Sequence, residues 1–144
     1  MIITDENKLR VECSNVAADE INDLRGLLEE ELFKSAKRGF PGIGLAAPQI
    51  GIAKRMAIVR IDDKHSVDLV NCRIKDGIDL DEFNGEGCLS FPGMFVKTMR
   101  YGEIYVVENL IPPHEFIATK LTAVVIAHEL DHLEGKLLTD LAIE

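Results

Sequence analysis

The stretch His128-Glu129-Leu130-Asp131-His132 is the part of this 144-residue sequence best equipped to do chemistry. On a helix, a spacing of four puts both imidazoles on one face with Cβ atoms roughly 5–6 Å apart, close enough to share one metal ion. A glutamate beside the first histidine can reach a water at such an ion and act as base, then acid. The plain alternative is two core or surface histidines that happen to stand at i and i+4. A catalytic ion also needs a third protein ligand and an open position. In the longer HExxHxxGxxH pattern Gly135 matches, but Leu138 occupies the place of the third histidine. Only twelve residues follow His132, which leaves little room for a glutamate on a later helix. The third ligand is therefore expected upstream.

Upstream, Cys13, Cys72, Cys88, His65, His114 and several carboxylates are available. Cys88 lies in Glu86-Gly87-Cys88-Leu89-Ser90, between Gly85 and the Pro92-Gly93 turn, a segment that bends sharply and exposes backbone. Cys13 and Cys72 read better as small buried hydrophobes. A thiolate with two imidazoles makes a soft site suited to Zn²⁺, Fe²⁺ or Co²⁺. Gly42-Ile43-Gly44-Leu45-Ala46-Ala47-Pro48-Gln49 lets another chain come close to its backbone. Gln49 there could donate to a developing oxyanion, or be a capping or core amide. Nothing in this segment forms a phosphate loop.

The elements that must position these residues read as a mixed set. Val16, Ile21, Leu24, Leu28, Leu32 and Ala36 recur at helical spacing and predict an amphipathic helix over about Asn15–Lys37, stopped by Gly39 and Pro41. Arg55–Ile61, Ser66–Ile74 and Ile104–Val107 are Val- and Ile-rich and predict strands, separated by Asp62-Asp63, Asp76-Gly77 and Pro112-Pro113. A second helix is predicted over Thr119–Glu134, with Thr119 as N-cap and Gly135 as its stop. Helix, strands, helix gives an α+β fold, a single domain over residues 1–144, with the last helix laid against the sheets.

Twenty-five acidic residues against sixteen basic ones give a formal charge of −9. Such a surface repels nucleic-acid phosphates and anionic lipid, so direct DNA binding and membrane association are not expected. MIITDENK carries no basic-then-apolar leader pattern. The odd, widely spaced set of three cysteines fits a reducing, cytoplasmic setting better than a disulfide framework.

Taken in order, GIGLAAPQ, EGCLS and HELDH resemble the three motifs of the peptide deformylases, G-x-G-x-A-A-x-Q, E-G-C-x-S and H-E-x-D-H, at every specified position. The likeness runs more loosely from about Leu9 to Gly135. It implies a fold of small sheets around a C-terminal HExxH helix, and hydrolysis of the N-formyl group from the initiator methionine of nascent polypeptides. It also implies one divalent ion, Fe²⁺ in the cell with Zn²⁺, Ni²⁺ or Co²⁺ as substitutes, on Cys88, His128 and His132. By the same resemblance Glu129 is the acid/base, and Gln49 and the Leu89 N–H stabilise the oxyanion. Gly44 and Gly87 line the substrate backbone, and Ile43, Leu121, Val124 and Val125 form the methionine pocket. Glu86 is expected to pair with Arg100, and Asp131 to support the ligands from behind. Ala127 stands where the family usually has glutamine, and residues 95–99 depart from its pattern. The short stretch after the last helix implies a form without the long C-terminal helix of some bacterial members. The expected partner is the formylmethionyl nascent peptide, met at the ribosome by a monomer. Two other readings compete: a deformylase-like protein that binds without turnover, and an ordinary HExxH endopeptidase, which the missing downstream ligand disfavours.

Overall fold

A computed structural model describes residues 1–109 and 113–143. Its elements are α1 (Glu6–Leu9), α2 (Ile21–Lys37), β1 (Gly44–Ala46), β2 (Met56–Arg60), β3 (Ser66–Val70), β4 (Cys72–Cys88), β5 (Phe91–Glu108), β6 (His114–Thr119), α3 (Lys120–Leu133) and α4 (Leu138–Leu141). Two antiparallel three-stranded sheets form, β1-β2-β3 and β4-β5-β6.

The layering follows from β2. Strand residues alternate faces, and a strand covered on both sides reads as one continuous apolar run. Met56 and Ile58 join Leu24, Leu28 and Leu45 under α2. Ala57 and Val59 turn the other way, into a core with Val125, Ile126, Leu130 and Leu133 of α3 and with Ile104, Val106 and Ala118 of the second sheet. The order of layers is therefore α2, first sheet, α3, second sheet. A helix with a sheet on each side must be apolar almost all round, and α3 is buried at every position from Ala123 to Leu130.

Several predicted boundaries move. The first helix begins at Ile21 rather than Asn15, after a 3-10 turn over Ala18–Glu20 in which the Glu20 carboxylate accepts from the Ala17 N–H at 2.9 Å. Its end is as expected, with Gly39 at φ 89° just past Arg38. The strand predicted over Ser66–Ile74 breaks at Asn71, which has φ 54°. Asn tolerates that conformation, and its side-chain amide replaces a strand neighbour, accepting from Val16 N at 2.7 Å and donating to Val16 O at 3.0 Å. Asp76-Gly77, predicted to break a strand, lies inside β4, where a register shift after Ile74 absorbs it. Ile104–Val107 is only the last part of the long strand β5. Thr119 occupies the cap position of α3 but makes no side-chain cap bond. Gly135, at φ 73°, ends the helix as predicted. Of the Pro112-Pro113 breaker, Pro112 lies outside the described residues.

Candidate active site

The HELDH stretch sits on the second half of α3, in the layer between the sheets, so both imidazoles and the glutamate between them are buried: His128 is 8%, Glu129 3% and His132 1% exposed. Cys88 reaches them from the other direction. It ends β4, just after a register shift between Gly87 and Cys88. The Cys88 Sγ lies 3.4 Å from His132 Nε2. One donor atom each from Cys88, His128 and His132 falls within 4.8 Å of the other two.

This donor set fits a divalent cation. Sulfur and nitrogen at about 2.3 and 2.1 Å from a tetrahedral centre stand about 3.6 Å apart, close to the Cys88–His132 separation. Glu86 Oε2 lies 2.8 Å from His128 Nδ1, which leaves Nε2 of that ring to turn toward the cluster. Burial, helped by the charges of His128 and Arg100, pushes His132 down to about 3, so it is the neutral ligating form. At His128 burial opposes protonation, but hydrogen bonds with Cys88 and Glu86 raise the imidazole well above its ordinary value. Glu86 makes the Nε2 lone pair equally basic toward a metal. Glu129 Oε1 and His132 Nδ1 are buried polar atoms without a hydrogen-bond partner, and Glu129 lines the cleft, where its carboxylate can meet a bound water.

Behind His128 stands a charged frame. Arg100 donates to both oxygens of Glu86, at 2.8 and 2.6 Å, and to Asp131 at 2.7 Å. The Thr98 hydroxyl donates to Glu86 Oε1 at 2.8 Å. Burial alone would raise Glu86, yet the bonds from Arg100 and His128 prevail and hold it at about 2. Glu129 has no such partners. Burial, with Glu86 and Asp131 adding to it against the pull of His128 and Arg100, pushes its carboxyl up to about 7. A group titrating there can both take and return a proton near neutral pH.

A cleft of about 580 Å³ opens onto this cluster. Gln49 stands at its inner edge with its amide orientation defined: Oε1 accepts from Ala46 N at 2.9 Å, so Nε2 points to Ser90 Oγ at 3.1 Å and Cys88 Sγ at 3.5 Å. Leu89 lines the cleft next to Cys88, its side chain filling the space over Gly42, where a Cβ would come within 2.6 Å of it. A Cβ on Gly44 would collide with the Glu129 carboxylate. Val124 and Val125, nearly buried, and the more exposed Leu121 and Ile43 form an apolar wall of the same cleft.

The structure thus gathers the residues singled out from the sequence. Eleven line one cleft, and His132 sits behind Cys88, away from its surface. The other candidates stay outside the cluster. Cys72 is buried, and burial pushes its thiol up to about 12; Cys13 is half-buried, His65 pairs with Asp62 on the surface, and His114 is exposed. Thr98, Ser90 and the second ion pair of Arg100 went unread. Thr98 was within reach of sequence reasoning, since it lies two residues before Arg100 and so shares its strand face.

The model of the family described as Polypeptide deformylase matches residues 1–144. The chain is 38% identical over 141 residues to "Peptide deformylase 1" of Clostridium perfringens, covering 94% of this chain and 92% of that one. It is 35% identical over 144 residues to the peptide deformylase of Hydrogenovibrio crunogenus, covering 97% and 83%. The crystal structure of peptide deformylase from Thermotoga maritima superimposes with a TM-score of 0.83 at 29% identity, over 100% of this chain and 97% of that one. A probable peptide deformylase from synechococcus phage S-SSM7 gives 0.82 at 32% identity, over 98% of each. Among the described residues, no helix is long and apolar enough to cross a membrane. With the fold, the three motifs and the donor cluster pointing the same way, this chain belongs to the polypeptide deformylase family.

Proposed function

We propose that Cys88, His128 and His132 hold the divalent ion of this family's reaction, the hydrolysis of the N-formyl group of formylmethionyl nascent peptides, and that Glu129 moves its protons. A divalent ion on these ligands supplies Lewis acidity, polarising the formyl carbonyl and making a water acidic. Glu129 takes a proton from the attacking water as its oxygen bonds to the formyl carbon. Gln49 Nε2 and the Leu89 N–H donate to the oxygen that gains charge. Glu129 then returns the proton to the methionine nitrogen as the C–N bond breaks, leaving formate and a free amine. Ile43, Leu121, Val124 and Val125 take the methionine side chain, and the peptide backbone runs alongside Gly44 and Gly87, whose missing side chains leave room for Glu129 and the Phe95 ring.

The observation that carries this reading is the meeting, at the floor of one cleft, of three donor atoms within 4.8 Å, His132 lying just behind the surface, and a buried carboxylate with one unpartnered oxygen. A thiolate and two imidazoles suit Fe²⁺ as the ion in the cell, with Zn²⁺, Ni²⁺ or Co²⁺ as substitutes. The proposed setting is a cytoplasmic monomer meeting nascent chains at the ribosome. The test is formate release from formyl-Met-Ala-Ser by protein purified without oxygen and reloaded with each metal, with metal content measured alongside. Release with one ion per chain is the expected result. One bound ion without release would overturn the catalytic assignment.

A further inference from the structure

The mouth of the cleft carries exposed apolar side chains that the methionine pocket leaves unused. Phe95 is 72% exposed, Phe40 52% and Met94 39%, and all three line the cleft. Phe95 stands opposite Gly87 in the β4–β5 register, and a Cβ on Gly87 would come within 2.8 Å of its ring. The ring is therefore laid over bare backbone one residue from Cys88, with most of its surface in water. A large apolar surface held open beside a reactive centre is free to be covered by whatever enters the cleft.

The direction of the entering chain follows from side-chain alternation. Successive side chains of an extended peptide point to opposite sides, with a step of about 3.3 Å. With the methionine side chain against Leu121, Val124 and Val125 on α3, the next side chain faces away from α3, and the exposed apolar cleft residues that α3 does not supply include Phe40, Met94 and Phe95. The acidic side chains lining the cleft are Glu86, which is paired with Arg100, and Glu129; no Lys or Arg lines it among the described residues. An acidic side chain entering there meets an apolar ring and finds no Lys or Arg on the lining to pair with.

We propose that Phe95, with Met94 and Phe40 in the same cleft, is the specificity-determining contact for the residue that follows the formylated methionine, favouring a large apolar side chain over a small one and disfavouring an acidic one. This rests on the deformylation reading above and extends it by one substrate residue.

The test compares kcat/KM for formyl-Met-Phe-Ser, formyl-Met-Ala-Ser and formyl-Met-Glu-Ser on the metal-loaded enzyme and on Phe95→Ala, Phe95→Tyr and Phe95→Arg. Wild type is expected to favour Phe over Ala by about fivefold to tenfold, the scale of one aromatic contact, with Glu poorest. Phe95→Ala should bring the Phe-to-Ala ratio down to about twofold or less, Phe95→Tyr should keep it, and Phe95→Arg should raise Glu relative to Ala. Ratios within one variant do not depend on the fraction folded or metal-loaded. A wild-type ratio in Phe95→Ala would overturn the proposal, as would equal turnover of all three peptides by wild type. Failure of wild type to release formate from any of them would instead refute the deformylation reading itself.

Discussion

Glu86 is shared between His128 and Arg100: its Oε2 lies 2.8 Å from the imidazole Nδ1 and 2.6 Å from the guanidinium. The carboxylate therefore sets the ring's tautomer while Arg100, itself tied to Asp131, fixes the carboxylate. Glu86→Gln is expected to weaken metal binding about 10- to 100-fold, the usual scale for losing such a partner. A chelator competition titration reads this directly, and unchanged affinity would leave Glu86 with a packing role only.

Glu129→Gln should retain the ion, because the three donors are untouched, and should lower kcat by about 10²–10⁴-fold, the range for a general acid/base. Metal analysis and formate release on the same sample separate the two effects. A variant that keeps its rate would show that another group moves the protons.

Gly44 is small because Glu129 occupies the space its side chain would need. Gly44→Ala is expected to push the carboxylate aside and to cost about a hundredfold in kcat, as misplacement of a catalytic group by an ångström does. Metal content should be unchanged. Normal kcat would mean that Glu129 swings freely and that the contact is incidental.

Just past the end of α3 Arg10 donates to both oxygens of Asp140, at 2.8 and 2.7 Å, and joins α4 to the segment after α1. The bonds from Arg10, then from the Leu137 N–H, hold the Asp140 carboxyl at about 2. A carboxyl depressed on folding contributes stability that is fully present above its unfolded value, 3.8, and is lost as pH falls through about 2. Arg10→Ala should therefore lower Tm at pH 7 by no more than about 3 °C, because both partners are substantially exposed. The difference from wild type should shrink between pH 4 and pH 2. A gap that stays constant across that range would assign the loss to the Arg10 stem rather than to the ion pair.

How far the sequence could be read depended on where burial makes a regular pattern. Helix α3 was legible because a layer between two sheets demands an apolar run, and Ala123 to Ala127 supply one immediately before His128. Strand β2 was legible for the same reason, and the three donors and Glu129 stood in motifs. The long β4–β5 hairpin was not. Its outer face mixes Ile78, Leu80 and Tyr101 with Asp76, Glu82 and Glu103, and Gly77 lies inside it under the Tyr101 ring, so neither alternation nor breaker residues marked its extent. The mouth of the cleft was equally hidden. Phe40 follows α2 while Met94 and Phe95 lie on β5, and only the packing of α2, the first sheet and the hairpin brings them to one opening.

The place of α3 between the sheets also bears on the order in which the molecule can assemble. Both sheets precede α3 in the chain, so during synthesis Val59, Leu69, Ile104 and Val106 leave the ribosome before the helix that covers them. Until residues near Leu133 emerge, neither sheet can bury its inner face against its final neighbour, and two sticky surfaces are free to meet each other or another chain. Folding of this core is thereby held back until α3 has been made, with the HELDH segment as the piece that completes it.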